Sequence, residues 1–234
     1  MTTLDDTKAP PNYRRLTEGL SLAPRLWSSF GHLGPRGPID GPPALVIPGF
    51  VATDRTTMEL RRAFAEGGFR THPWALGLNR GARSDTLVSL ERRLEQIGDG
   101  EQVLVVGWSL GGLFARELAR HRPDLVSAVV TLGSPFSGDV RGNNVWRFYE
   151  WVAGHPVDNP PIPRITDKPP VPTLAFWSRR DGIVAPACAR GEPHESDLAI
   201  ELTCNHMAFS VSRAATRQVV QQTKSFLTAN LRSP

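Results

Sequence analysis

The sequence has few of the features that mark secreted, membrane-spanning or metal-binding chains. It contains only two cysteines, Cys188 and Cys204, and they lack the spacing of a zinc site or a CxxC motif. No stretch reaches the roughly 18 apolar residues that a spanning helix needs, and residues 1–6 are polar and acidic, unlike a secretory signal. We therefore expect a cytoplasmic protein with free thiols. A disulfide between the two cysteines stays open as an alternative for an oxidising compartment.

Concentrated positive charge is also missing. The net charge of +4 arises from 27 basic and 23 acidic residues. Arginines occur as scattered pairs, such as Arg61-Arg62 and Arg92-Arg93, in segments that also carry acids. This distribution, without a recognisable nucleic-acid-binding motif, predicts no nucleic-acid partner.

The chain does contain a repeated alternation of short apolar runs with helical patterns. Its 234 residues, 40% hydrophobic and 21% charged, are typical of one globular domain. The alternation predicts an α/β fold with a mostly parallel sheet of about six strands and helices on both faces. The predicted strands are 44–47, 69–76, 103–106, 126–132, 171–177 and 198–202. The clearest predicted helices are 58–66, opened by a capping box at 56–59, then 85–98, 110–121 and 213–231.

Two segments do not follow this alternation. Residues 1–40, with a weak helical pattern at Leu16, Leu20, Leu26 and Trp27, are predicted to form an N-terminal arm before a domain of residues 41–234. The long proline-rich segment 138–170 is predicted to be a small cap-like insertion. Its aromatic residues are Trp146, Phe148, Tyr149 and Trp151. Several of them fall on one face of a short helix, where they would either cap a ligand pocket or anchor the insertion on the domain.

The segment Gly107-Trp108-Ser109-Leu110-Gly111 has the pattern GxSxG, which alone is common by chance. Here it lies between an apolar strand and an amphipathic helix, where a sharp turn exposes a serine hydroxyl. The glycines let strand and helix approach each other. Alternatively, they could pack a helix as in dinucleotide-binding folds, but Trp108 and Leu110 do not suit a phosphate-binding loop. The pattern therefore predicts Ser109 as a nucleophile.

Residues 105–112 resemble the nucleophile elbow of α/β-hydrolases, and of bacterial lipases and esterases in particular. Segments 45–50, 130–136 and 178–184 also resemble that group, in matching order, so the resemblance covers roughly residues 44–227. It implies the α/β-hydrolase fold and ester hydrolysis that requires neither a cofactor nor a metal.

The resemblance also indicates the residues that would activate Ser109. A serine nucleophile needs a base that takes its proton and an acid that orients the base. The family order puts the acid after the penultimate strand, at Asp181, and the base before the terminal helix, at His206. Asp139 and Asp158 are alternative acids, but both lie in or beside the insertion.

An oxyanion hole is implied as well, since acyl transfer places negative charge on the carbonyl oxygen. Its backbone donors would be Leu110, which follows the nucleophile, and Phe50, in the turn after the first strand. The turn departs from the family pattern, because Pro48 stands where many lipases have histidine.

These features together predict a serine carboxylic-ester hydrolase that acts through an acyl-enzyme on a small, apolar ester or acyl substrate. Acyl transfer to an alcohol or amine by the same residues is the main alternative. A non-catalytic binding protein and cofactor-free haloperoxidase or carbon-carbon hydrolase chemistry also stay open.

Overall fold

The computed structural model describes residues 6–11, 18, 37–139, 146–154, 156, 158–162 and 164–230. Within them, six strands form one sheet in the order β2-β1-β3-β4-β5-β6, and every neighbouring pair is parallel. The strands are β1 (Pro43–Ile47), β2 (Arg70–Pro73), β3 (Val103–Trp108), β4 (Val126–Leu132), β5 (Thr173–Trp177) and β6 (Leu198–Glu201). The predicted six-stranded α/β architecture is confirmed.

The helices lie between the strands, as the sequence pattern predicts. They are α1 (Met58–Glu66), α2 (Thr86–Gly98), α3 (Leu110–His121), α4 (Trp146–Ala153), α5 (Pro186–Arg190), α6 (Ala208–Val211) and α7 (Arg213–Asn230). The bounds of α1 and α3 coincide with those predicted. The capping box is wrong: the Thr56 and Thr57 hydroxyls donate to the carbonyls of Thr53 and Asp54 in the preceding turn, and no side chain caps α1.

The second strand is shorter than the apolar pattern of 69–76 suggests. It ends at Pro73 because the next two backbone N–H groups leave the sheet. Those of Trp74 and Ala75 donate to the two carboxylate oxygens of Asp54, at 3.0 and 3.2 Å. Ala75 also has a positive φ of 61°, which bends the chain away from the strand direction.

Helices cover both faces of the sheet, and the alternation of side chains along the strands produces two cores. In β1, Ala44 and Val46 pack with α1 and α7 on one face. Leu45 and Ile47 face α2 and α3 on the other. All residues of β1 and β3 are buried, as expected for central strands of a parallel sheet.

The strand order determines where a ligand can bind. The chain runs from β1 to β2 on one side, then returns past β1 to β3 and continues in the opposite direction. In such sheets the loops after the two strands at the reversal point diverge and leave a crevice at their carboxyl ends. Phe50 follows β1 and Ser109 follows β3, so both lie at this crevice.

The predicted arm and insertion are described in part. The residues that carry the weak helical pattern of the arm lie outside the described residues. Of the remainder, Asp6 accepts a hydrogen bond at its carbonyl from Ala187 N–H, and Glu18 is buried. In the insertion, α4 packs on the domain through Tyr149. Cys188 and Cys204 are free thiols. Across the described ranges, no helix is long and apolar enough to span a membrane.

Candidate active site

Ser109 occupies a strained turn between β3 and α3. Its φ of 54° and ψ of −123° are unusual for a residue other than glycine, and conformations of this kind cost about 1–3 kcal/mol. The turn is held by its neighbours, since Ser109 N–H donates to the Leu132 carbonyl at 2.8 Å. A Cβ on Gly107 would lie 2.2 Å from the Gly111 carbonyl oxygen, and one on Gly111 would lie 2.4 Å from that of Ile47. Only glycine allows this approach of strand and helix.

Asp181 and His206 are in direct contact. Asp181 Oδ2 lies 2.8 Å from His206 Nδ1, and both side chains are almost completely buried. The other carboxylate oxygen of Asp181 accepts the backbone N–H groups of Ile183 and Val184, each at 2.8 Å. These bonds fix the orientation of the carboxylate, which in turn fixes the imidazole. The alternative acids make no hydrogen bond or ion pair with His206 among the described contacts.

Trp108, the residue before Ser109, joins the elbow to the histidine turn. Its indole N–H donates to the His206 carbonyl at 3.1 Å, and the two rings lie 5.6 Å apart. A second bond holds the same turn from β5, because the Ser178 hydroxyl donates to the Cys204 carbonyl at 2.6 Å. The backbone of His206 is therefore positioned from two strands.

The surroundings of His206 favour its protonated form. Burial alone lowers the pKa of His206, but the charge and hydrogen bond of Asp181, together with the charge of Glu18, outweigh burial and raise that pKa above its ordinary value. Burial and the same two carboxylates raise the pKa of Cys204 to about 12. Cys204 thus stays a neutral thiol near pH 7 and is a poor nucleophile.

The structure brings Asp181 and His206, the predicted acid and base, into contact, but it does not join His206 to Ser109. No hydrogen bond joins Ser109 to His206 among the residues described. Since Nδ1 faces Asp181, Nε2 is the ring nitrogen that remains for a proton from Ser109. Such bonds are often long or misaligned before substrate binds.

Known proteins resemble the chain in fold. Residues 67–167 match the family model described as alpha/beta hydrolase fold. Carboxylesterase CesB from Bacillus subtilis superposes with a TM-score of 0.59 at 15% identity, over 93% of this chain and 98% of that one. The chain has the α/β-hydrolase fold.

Other solved structures are similar at comparable TM-scores. Naproxen esterase from Bacillus subtilis has a TM-score of 0.57 at 16% identity and covers 90% of this chain and 96% of its own. A thioesterase domain from the curacin biosynthetic pathway has a TM-score of 0.59 at 14% identity, and the match covers 79% of this chain and 92% of that domain. No curated protein sequence matches the chain. These structures show the similarity of fold.

The expected oxyanion donors lie beside Ser109. Leu110 is the first residue of α3, where backbone N–H groups have no partner within the helix. The turn that carries Phe50 is equally close, because a Cβ on Gly49 would lie 3.1 Å from Ser109 Cβ. Both assignments stay predictions.

Asn79 braces the turn after β1, and the sequence analysis missed it. This side chain is 1% exposed, and its amide donates to the Pro48 carbonyl at 2.8 Å. The Asn79 backbone N–H donates to the Ala52 carbonyl at 2.9 Å, and the Asn79 carbonyl accepts the Val51 N–H at 2.7 Å. The sequence Asn-x-Gly gave only a weak signal for this residue. It favours an Asx-turn, in which Asn79 Oδ1 accepts Gly81 N–H, but such turns occur in loops of every kind.

A cavity of about 380 Å³ opens beside Ser109. Its lining is mostly apolar, with Leu110 and Phe114 from α3 and with Trp146 and Tyr149 from the insertion. Tyr149 both lines the cavity and anchors the insertion, because its ring lies 5.0 Å from that of Phe50 and its hydroxyl accepts Ala82 N–H. The side chains of the other two predicted aromatics, Phe148 and Trp151, lie outside the described residues.

Proposed function

We propose that this α/β-hydrolase is a serine carboxylic-ester hydrolase that forms an acyl-enzyme on Ser109. The observation that carries the proposal is the buried contact of 2.8 Å between Asp181 and His206. These two residues follow β5 and β6, at the same sheet edge as the strained Ser109 turn. Nucleophilic acyl transfer requires an ordered acid-base pair at the same site as the serine, and here the pair shares a sheet edge with the half-buried Ser109.

In the proposed first step, Ser109 Oγ attacks the carbonyl carbon of the ester while His206 Nε2 takes the hydroxyl proton. The carbonyl π electrons move to oxygen, and the oxyanion is stabilised by the N–H groups of Leu110 and Phe50. When the intermediate collapses, the bond to the leaving alcohol breaks and the alcohol takes the proton from His206. Asp181 stabilises the imidazolium through its hydrogen bond to His206 Nδ1.

Water completes the cycle. His206 removes a proton from a water molecule, whose oxygen attacks the acyl carbon. The bond between the acyl carbon and Ser109 Oγ then breaks, and the serine regains its proton from His206. The products are the carboxylic acid and free enzyme.

The cavity supports a small, apolar acyl group. Its volume of about 380 Å³ is within the range of roughly 300–1,000 Å³ typical of small-ligand sites. Trp146 and Tyr149 form part of its wall, so the insertion contributes to substrate selection. The resemblance to carboxylesterase CesB and naproxen esterase agrees with this substrate class.

Hydrolysis of p-nitrophenyl esters of increasing acyl length tests the proposal. We expect Ser109→Ala to lower kcat by a factor of about 10⁴ or more, because removal of a triad nucleophile has this effect in serine hydrolases. Ser225→Ala removes another serine hydroxyl, on the distant helix α7, and is the matched control. A fluorophosphonate should label the parent protein and not Ser109→Ala. Hydrolysis by Ser109→Ala at the parent rate would falsify the nucleophile assignment.

The same assay separates hydrolysis from acyl transfer. With an added alcohol, a hydrolase releases mainly free acid, whereas an acyltransferase releases mainly the new ester. The ratio of the two products is measured at equal conversion. A predominance of ester would overturn the choice of water as the acceptor and leave Ser109 as the nucleophile.

A further inference from the structure

Glu18 is a buried carboxylate that the proposed mechanism does not use. It is 5% exposed, and it accepts three backbone N–H groups. Oε1 accepts those of Gly182 at 2.9 Å and His206 at 3.0 Å, and Oε2 accepts that of Met207 at 2.9 Å. Gly182 directly follows Asp181, so one side chain contacts both turns that carry the acid-base pair.

The donors around Glu18 match an ionised carboxylate. Burying a charge is costly unless hydrogen bonds replace the lost water, and here three backbone donors do so. An amide in the same place would offer a single acceptor oxygen, and its NH₂ group would face a backbone donor. The site is therefore specific for a carboxylate rather than for any polar side chain.

The histidine turn needs such a contact because its strand gives little support. The four-residue strand β6 lies at the sheet edge, and its side chains are largely exposed. The relative position of Asp181 and His206 thus depends on contacts between the turns themselves. The three bonds to Glu18 add to the direct bond between Asp181 and His206 and to the bonds between Ser178 and Cys204.

We propose that Glu18, from the predicted N-terminal arm, is a positioning residue that joins the Asp181 turn to the His206 turn and stabilises the imidazolium formed during ester hydrolysis. The proposal rests on the hydrolase mechanism given above. Glu18 acts through His206 and does not touch the substrate.

The charge of Glu18 gives the proposal an electrostatic readout. The ionisable groups that face His206 are Asp181 from the turn after β5, Glu18 from the arm, and Cys204 from its own turn. Cys204 is neutral near pH 7, and Trp108, which packs from β3, carries no charge. Burial lowers the pKa of His206 and both carboxylates raise it, so removing the charge of Glu18 lowers that pKa.

The test compares Glu18→Gln with the parent protein over a range of pH. We expect kcat to fall about 10- to 100-fold, as for small displacements of a reacting group, while KM changes little. The acidic limb of kcat/KM should move to lower pH, because the free base persists further into acid. Glu195→Gln is the matched control: Glu195 is also buried and accepts a backbone N–H, at Glu192, but does not contact either turn. It should lower stability without moving the pH profile.

A second variant and a second measurement keep the test decisive. Glu18→Asp retains the charge but shortens the side chain, so kcat should fall while the pH profile stays closer to that of the parent. If Glu18→Gln does not fold, this variant carries the test. NMR titration of the His206 imidazole, assigned with His206→Asn, follows the pKa without any substrate.

These measurements distinguish the two proposals. Suppose that the parent protein does not hydrolyse esters, but that the pKa of His206 measured by NMR is lower in Glu18→Gln than in the parent. The hydrolase proposal then fails, and the link between Glu18 and His206 stands. If the parent is active and Glu18→Gln has the parent kcat, pH profile and titration, the role of Glu18 is overturned while the hydrolase proposal stands.

Discussion

Replacing Asn79 with alanine tests whether the turn after β1 forms half of the oxyanion hole. The change deletes two buried hydrogen bonds, one to the Pro48 carbonyl at 2.8 Å and one from Gly81 N–H at 3.1 Å. Each of these two buried groups, left without its partner, costs about 1–3 kcal/mol, so the free energy of unfolding should fall by about 2–6 kcal/mol. The two backbone bonds of residue 79 are retained, so the turn should loosen rather than unfold.

The effect on activity depends on Phe50. If its N–H stabilises the oxyanion, a loosened turn weakens that hydrogen bond. The transition state then loses up to about 3 kcal/mol of stabilisation, which lowers kcat by as much as about 100-fold. KM should change little, because the oxyanion exists only after attack. Urea unfolding and the hydrolysis of a short p-nitrophenyl ester measure the two quantities.

Thr173→Val is the control for this prediction. It removes one buried hydrogen bond, from the Thr173 hydroxyl to the Val171 carbonyl, at the opposite edge of the sheet from Ser109. We expect it to lower stability by about 1 kcal/mol and leave kcat unchanged. If Asn79→Ala were destabilised as expected but retained the parent kcat, the turn would not act in the transition state and Phe50 would not be a donor.

Two further predictions concern His206 and Gly111. The pKa of His206 is raised above its ordinary value of 6.5, and a general base acts in its neutral form. We therefore expect kcat/KM to increase with pH, with a midpoint above 6.5. A midpoint at or below 6.5 would contradict the expected balance of charge and burial. In Gly111→Ala the new Cβ would meet backbone oxygens at 2.4 and 2.8 Å, so the free energy of unfolding should fall by about 1–3 kcal/mol or more. Gly98→Ala, whose Cβ meets only Val103 at 3.4 Å, is the control in the same urea titration, and equal stability of the two variants would contradict the steric argument.

The fold could be predicted because its signals are local. The run of β3 is continuous and apolar, as a buried parallel strand requires, and β4 is mostly apolar. Helix α3 has an amphipathic period that ends near Pro123. The error at β2 arose from a distant partner. The apolar run continues through Trp74 and Leu76, but Asp54, some 20 residues earlier, takes the backbone donors that would extend the strand.

The site was predictable only where chain order carries information. Ser109, Asp181 and His206 each follow a strand, and parallel strands bring those positions to one edge. Asn79 and Glu18 have no such marker. Glu18 meets its three donors across 164, 188 and 189 residues of sequence, and neither periodicity nor spacing reports a contact over such a separation.

That separation has a consequence for the order of events during synthesis. Glu18 leaves the ribosome long before the segment around residue 206, so its carboxylate must stay hydrated while almost the whole domain is made. The three donors become available only when β6 and the turn after it have been completed. The nascent chain can therefore assemble the Ser109 elbow well before it gains a working proton relay. In the proposed mechanism, the turns of Asp181 and His206 would be joined through Glu18 only at this late stage.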